Sequence, residues 1–288
     1  AQTGKVLTNA NMSELNITSK PSIRLLVFVT MLLAIATLEM LWPRRQLHLS
    51  KARRWLSNFS LSFVNTFLVA ILIPVAGVTA AQMTAEKGWG FLNNFQPASW
   101  ISLLAYLVIF DLIIYWQHRL YHRFNPLWRL HRVHHTDLDY DVTTGIRFHP
   151  LSIIISTAIK LCLIVVMGPP VIAVLISEIL LNATSMFNHS NIKIPTKLDT
   201  VLRYFLVTPD MHRVHHSVEH AEHNKNFGFN FPWWDRIFSS YQAQPLTGHE
   251  KMELGIEGYG EGQSVSLNTL LLQPFAKNPE ESNPAAPR

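Results

Sequence analysis

The pentapeptide His-Arg-Val-His-His occurs twice, at His131–His135 and His212–His216, and constrains this chain more than any other feature. On a helix, positions i, i+3 and i+4 fall within a 100° arc, so each copy is expected to turn three imidazoles toward one point. A further pair at i, i+4 spacing, His118 and His122, stands just ahead of the first copy. Eight of the fourteen histidines thus occupy three boxes with metal-ligand spacing. Imidazole without thiolate suits iron, zinc or copper, and eight nitrogens exceed the roughly four to six ligands that one ion takes. The spacing predicts two metals. A lone histidine is ordinarily a surface or satisfied core residue, but three boxes, two of them identical, are poorly explained that way. A structural or storage site usually closes with four ligands, often with cysteine among them. The single cysteine, Cys162, lies in an apolar run far from the boxes, permits no intrachain disulfide and argues against a thiolate-ligated haem.

The boxes are set in an unusually apolar chain. Of 288 residues, 48% are hydrophobic and only 15% charged, against roughly 25% charged in ordinary soluble domains. Apolar runs at Ile23–Trp42, Leu61–Ala81, Trp100–Trp116, Leu151–Met167 and Val171–Phe187 are each about long enough to cross a bilayer core. The last two are joined by Gly168-Pro169-Pro170 and predict a tight helical hairpin. Ile23–Trp42 is too long for a signal-peptide core and has no small-residue cleavage site after it, so it reads as a retained span. The expected fold is all-α, an integral membrane helical bundle of four to five spans with a cytosolic histidine-rich helical cap holding a di-metal site. Expected divisions are a polar segment 1–22, N-terminal spans 23–99, a catalytic region 100–245 and a C-terminal extension 246–288. That extension is expected to be partly disordered, with Lys277–Arg288 as a tail.

Charge sets the orientation. The first connection carries Arg44, Arg45, Lys51, Arg53 and Arg54 with no acid, and Arg119, Arg123, Arg129, Arg132 and Arg147 follow the third span. Placing these in the cytosol puts every box there too, with Gln82–Ser99 and Gly168–Pro170 outside, although Lys20 and Arg24 weakly oppose this. The net charge of +5 therefore reads as topology, with no nucleic-acid footprint. Gly258–Gly262 follows no clear strand and is a poor dinucleotide fingerprint.

The third span runs directly into His118 and His122. Asn125 is expected to cap a new helix opened by Pro126, and Thr208-Pro209 repeats that grammar ahead of the third box. Trp128, Phe231, Trp233 and Trp234 fit an interfacial aromatic layer. Asp111, two turns before His118, is a functional candidate as a carboxylate within a span and a possible partner of a ligand histidine. Lys160 and Glu178 stand at equal depth in the hairpin and are expected to pair across it. His189 returns to the box side after the last span and is a candidate ninth ligand. His149, before Pro150, reads as a support for the ligands or a pocket wall. His220 and His223 read as a solvated helix end, and His48 and His249 as surface residues.

Boxes of the form His-x3-His, His-x2-His-His and His-x2-His-His beside membrane spans resemble the fatty acid hydroxylase superfamily, also called the sterol desaturase family, in its bacterial form. The likeness runs from about Leu103 to Tyr241. It includes Asp111 ahead of the first box, Arg147-Phe-His-Pro150, Asn188-His-Ser-Asn191, Asn226-Phe-Gly228 and Trp234-Asp-Arg-Ile-Phe238. Pro43-Arg-Arg45 and Arg53-Arg-Trp55 also resemble bacterial members. The resemblance implies a di-iron, O2-dependent oxidoreductase that hydroxylates or desaturates a sterol, fatty acyl, alkylglycerol or carotenoid lipid. It implies two iron ions at His118, His122, His131, His134, His135, His189, His212, His215 and His216. Asn188, Asn191, Asn226 and Asp235 then become candidates to support the ligands or line a substrate pocket. Some members carry a histidine one turn before the counterpart of His189, where this chain has Ser185.

The expected co-substrate is O2, and the expected partners are a membrane lipid and an external electron donor such as a ferredoxin or cytochrome b5. Phe110, Ile114, Met186 and Phe187, with His149 near the mouth, are expected to wall a lateral lipid entry. The expected location is a bacterial inner membrane, with the boxes facing the cytosol as the basic loops indicate. The competing readings are a zinc-dependent membrane lipid hydrolase using metal-bound hydroxide and a metal transporter. A transporter is expected to place ligands at mid-membrane, and these boxes lie outside the apolar runs.

Overall fold

A computed structural model describes residues 21–277. The polar segment through residue 20 and the tail from residue 278, including the expectations attached to them, lie outside the described residues. Among the described residues the protein is helical without a strand, apart from isolated bridges at Pro43–Ile192 and Ser217–Leu254. Five helical stretches are long and apolar enough to cross a membrane: Ile23–Leu41, Lys51–Phe95, Ser99–Arg123, Pro150–Met167 and Val171–Asn188.

The helices are α1 (Pro21–Leu41), α2 (Lys51–Leu72), α3 (Gly77–Lys87), α4 (Phe91–Phe95), α5 (Ser99–Arg123) and α6 (Asn125–His135). After a single 3-10 turn at Thr144–Ile146 come α7 (Pro150–Met167), α8 (Val171–Asn188), α9 (Thr196–Leu202), α10 (Pro209–His215), α11 (His220–His223) and α12 (Trp233–Ile237). The described residues end with α13 (Glu261–Ser264), α14 (Leu267–Leu272) and a 3-10 turn at Gln273–Phe275.

The second apolar run is broken, not continuous. Pro74 has no N–H to donate, and the helix stops at Leu72 and restarts at Gly77. One face of α2 is polar and turned to the histidine side. Arg54, Asn58 and Asn65 are buried and bond to Asp137 and Asp141, to Thr143, and to the Phe148 carbonyl, all on the histidine side. The crossing is completed by α3, which packs on α7 and α8.

The predicted hairpin is present. Gly168, at φ 60°, ends α7 in the left-handed region, and α8 restarts after Pro170. Gly90 passes so close that a Cβ there would fall 2.6 Å from the Gly168 Cα. The Gln82–Ser99 connection and the hairpin turn therefore share one end of the bundle. The buried Glu39 Oε1 accepts from Asn191 N at 2.8 Å and Val142 N at 2.7 Å, so α1 runs alongside α8 in the same direction.

Several local expectations are corrected. Asn125 lies inside α6, and Phe124 occupies the cap position without a side-chain bond. Thr208 does cap α10, accepting from Met211 N. Glu178 pairs with Arg24 at 2.7 Å and not with Lys160, because α1 brings a guanidinium to the groove beside α8. His249 is buried against Gln244 and Asp210 and is not a surface residue. The extension from residue 246 is built into the body through residue 277. Leu270 packs with Leu61 and Val133, and Arg129 and Arg132 of α6 donate to the carbonyls of Pro274, Gln273 and Ala276.

Candidate metal centre

All nine histidines expected as ligands meet at one end of the bundle, in two groups. In each group one nitrogen from every ring lies within 4.8 Å of the others. His118, His122, His131, His135 and His215 form one group, and His134, His189, His212 and His216 form the other. The expectation that each box converges on one point is therefore corrected. Taking i as 0°, i+4 lies 40° to one side and i+3 lies 60° to the other. Box two accordingly sends His131 and His135 to the first group and His134 to the second. Box three does the reverse, sending His212 and His216 to the second group and His215 to the first. The two identical pentapeptides are thus shared crosswise. The end of α5 adds His118 and His122 to the first group, and the end of α8 adds His189 to the second.

Four of the nine rings are held through their Nδ1 atoms. His118 Nδ1 donates to the Phe227 carbonyl at 2.9 Å, and His215 Nδ1 donates to the Lys225 carbonyl at 2.7 Å. In the second group His134 donates to the Arg147 carbonyl at 3.2 Å and His189 to the Ser185 carbonyl at 2.7 Å. A carbonyl only accepts, so these Nδ1 atoms carry the protons and the neutral rings present bare Nε2 lone pairs. Those lone pairs face one another: His118 and His215 Nε2 are 2.9 Å apart, and His134 and His189 Nε2 are 3.0 Å apart. Two acceptors at that distance repel unless a cation lies among them. Burial pushes His131, His134, His135, His212, His215 and His216 well below the usual imidazole range, and His189 down to about 3, so the rings stay neutral at pH 7. Buried nitrogens of His131, His212 and His216 have no hydrogen-bond partner. The donor set fits two metal ions.

The carbonyls that orient the rings are invisible as side chains, yet sequence signals surround them. Asp235 accepts from Phe227 N at 2.8 Å, Gly228 N at 2.7 Å and Ser240 Oγ at 2.7 Å, fixing the peptide that receives His118. Burial raises the Asp235 carboxyl to about 6. Asn226, at φ 54°, ties the Met211 and Gln242 carbonyls together, so it braces the start of the same loop. Asn188 donates to the Phe229 carbonyl at 3.0 Å, and Asn191 donates to the Arg45 carbonyl at 2.7 Å while accepting from Arg45 N. The side chains of all four bond to backbone groups of neighbouring loops. Gly145 is required by close approach, since a Cβ would lie 2.5 Å from the Ser185 carbonyl that holds His189.

One expected partnership is not formed. Asp111 is not partnered with a histidine. It accepts from Asn230 N at 3.1 Å, Phe231 N at 3.2 Å and Trp234 Nε1 at 2.8 Å, anchoring the loop beyond Phe229. His149 caps α7, accepting from Leu151 N, and its other nitrogen meets the Leu271 carbonyl. The expected entry wall is likewise divided. Phe110 and Ile114 pack with Tyr106 and Ile164, whereas Met186 and Phe187 pack with Ile35 and Val142.

Other residues went unrecognised. Trp128 is a wall of the centre and not part of a belt, with its ring 4.9 Å from His122 and stacked on His223 at 5.1 Å. Half-buried His223 stands 5.4 Å from His122, and burial lowers it to about 4. Phe148 stacks on His134 at 4.5 Å, and Tyr140 sits 5.1 Å from His216. Behind box two, fully buried Arg54 pairs with Asp137 at 2.8 Å and Asp141 at 2.7 Å. Burial alone would raise the Asp137 carboxyl, but Arg54 and Arg147 hold it at about 2.

The comparisons with known proteins agree with this geometry. The model of the fatty acid hydroxylase family matches residues 103–240, a stretch that contains all nine clustered histidines. Residues 103–240 form a fatty acid hydroxylase domain. The chain is 28% identical over 216 residues to ornithine lipid hydroxylase OlsE of Rhizobium tropici, covering 73% of this chain and 62% of that protein. It is 31% identical over 165 residues to alkylglycerol monooxygenase of Homo sapiens, covering 56% of this chain and 34% of that one. The corresponding enzyme of Danio rerio is 32% identical over 154 residues, 54% of this chain and 33% of its own length. The chain thus spans under two thirds of the length of these relatives. No solved structure matches it. The fatty acid hydroxylase domain ends at residue 240, so the arginine-bound segment 261–277 behind α6 lies beyond it.

Proposed function

We propose that the protein is a membrane-bound, O2-dependent lipid hydroxylase whose two histidine groups each hold one iron ion. The observation that carries this reading is the pairing of bare Nε2 lone pairs in both groups, inside a fatty acid hydroxylase domain beside five apolar helices. Two bound irons would supply the oxidising power for an unactivated C–H bond. Overall, a C–H bond, O2, two electrons and two protons become C–OH and water, so an external electron donor is required. A ferredoxin-like or cytochrome b5-like carrier suits the basic histidine-side loops.

The chain's own residues bind, orient and exclude. The nine imidazoles would be the ligands, kept neutral by burial. The carbonyls of Phe227, Lys225, Arg147 and Ser185 fix the tautomer and ring plane, the role that outer partners play at metal sites. Phe227, Phe148, Tyr140 and Trp128 enclose the rings and limit water. The two named relative types act on ornithine lipids and alkylglycerols, which supports a lipid substrate for this chain too. We take 23–99 as supporting spans and 100–245 as the catalytic part.

Lipid extracts from cells with and without the protein test the reading. The expected result is a lipid species heavier by one oxygen atom, formed with matching O2 uptake. A zinc-loaded protein that cleaves a lipid without consuming O2 would replace this function with hydrolysis. The proposed location is a bacterial inner membrane with the centre facing the cytosol. Cysteines at Gly88 and Asn224 in a Cys162→Ala background should then label from opposite sides, Asn224 from the cytosolic one.

A further inference from the structure

Helix α9 is built inside out for a water-facing helix. Leu198, Val201 and Phe205 lie along one face and are 51–62% exposed, while the charged pair Asp199 and Arg203 on the opposite face is only 4–6% exposed. The pair is closed at 2.6 Å and points into the body, where Arg203 also donates to the Ala243 carbonyl. Neither this segment nor α12 belongs to a span. The two are joined as one surface: Trp233 Nε1 donates to the Tyr204 carbonyl at 2.7 Å, and Arg236 donates to the Arg203 carbonyl at 2.8 Å while lying over the Tyr204 ring. Tyr204, Trp233 and Ile237 extend the exposed apolar face. Among the described residues nothing covers it.

Its depth is set by Asp111. That carboxylate lies within the span of α5, seven residues and so roughly 10 Å below His118, and it holds the 230–234 turn by three hydrogen bonds. The turn is drawn from the level of the metal ligands down beside the apolar run. Exposed Lys193, Lys197 and Arg236 border the patch, complementing anionic head groups, and Trp and Tyr beside them suit the head-group layer.

We infer that α9, the 203–206 turn and α12 form a platform lying in the plane of the membrane, seated in the lipid leaflet on the histidine side. It adds a lipid-contacting surface to the one made by the five spans, and this holds whatever reaction the metal centre performs. Its apolar face meets acyl chains and its basic rim meets phosphate or carboxylate head groups. It binds by the logic of an interfacial amphipathic helix.

The test uses the full chain in lipid nanodiscs containing anionic phospholipid, with nitroxide labels on cysteines at Val201, Phe205 and Ile237 in a Cys162→Ala background. Val166, exposed on α7, is the lipid-facing reference and Lys251 the water-facing one. Collisions with O2, relative to a water-soluble nickel chelate, should match Val166 and exceed Lys251 by about tenfold at all three positions. Native Trp233, compared with a Trp233→Phe variant, should account for a loss of fluorescence when the lipids are brominated near the head group. This reads the same surface without labels. Ratios like that of Lys251, with no Trp233 quenching, would overturn the inference. Labels shielded from both reagents would also overturn it, showing that a protein surface, from this chain or another copy, covers the patch.

Discussion

The two histidine groups are made by the same rule and differ by one ring. Each takes the i and i+4 histidines of one pentapeptide and the i+3 histidine of the other. To that shared trio α5 adds two rings one turn apart, His118 and His122, while α8 adds only His189. One turn before His189 stands Ser185, whose hydroxyl donates to the Gly145 carbonyl at 2.7 Å and whose own carbonyl receives the His189 proton. The five-ring group also has an open edge: His122 is half-buried, with Trp128 and His223 beside it. The four-ring group is closed on every side, each of its members at most 1% exposed. The difference teaches that duplicated motifs need not give duplicate sites. On the proposed reading, an ion held by the four nitrogens of the closed group would have a coordination place left for O2 or water, and one held by five nitrogens at the open edge would be retained more firmly.

The largest effect that would sharpen this contrast comes from removing rings. His134→Ala or His189→Ala should abolish turnover and lose the ion of the four-ring group, while His122→Ala keeps four imidazoles and should retain both ions. Turnover and metal per chain measured on the same preparations check this, and equal metal loss in all three variants would break the asymmetry. Next, Ser185→His should restore a fifth ring to the closed group, slowing release of its ion to a chelator and lowering turnover. Faster turnover would show that the fourfold set does not serve to leave a place open.

Stability changes should follow the buried supports. Arg54→Ala leaves Asp137 and Asp141 uncompensated and should cost about 3–5 kcal/mol, read from denaturant unfolding. Asp235→Asn should cost about 1–3 kcal/mol by weakening the acceptor that holds Phe227 N and Gly228 N. The loosened ring should be His118, in the five-ring group, and metal loss there alone is the signature. The pH effect is smaller per residue. His189 is lowered to about 3, His223 to about 4 and His249 to about 3, each chiefly by burial. Below the unfolded value of about 6.5 the unfolded chain takes up protons that the folded chain refuses, so metal-free stability should fall from pH 6.5 toward 4. Chelator-treated protein followed by thermal unfolding across that range should show a flat region only above it.

Much of this was legible in the sequence because the chemistry lay in side-chain spacing. Helical periodicity announced the boxes, hydropathy announced the spans, and His189 followed from the return of α8 to the box side. What escaped lay elsewhere. The crosswise sharing of the pentapeptides depends on how α6 and α10 face one another, which spacing within one helix does not encode. The four orienting carbonyls belong to Phe227, Lys225, Arg147 and Ser185 as backbone, so residue type carried no signal. Asp111 was noticed as a costly charge in a span, yet its partners are two backbone N–H groups and the Trp234 indole, all more than a hundred residues away. Lys160 and Glu178 have matching positions along the hairpin, but Arg24 comes from α1, and sequence depth alone does not order helices around a bundle.

The central claim is two metal ions per chain held by two unequal histidine groups. Quantitative metal analysis of anaerobically purified protein tests it directly, carried out on the wild type and on His189→Ala side by side. The account predicts two irons per chain in the wild type and one in the variant, with membrane insertion unchanged. A single ion per wild-type chain, retained in full by His189→Ala, would contradict it.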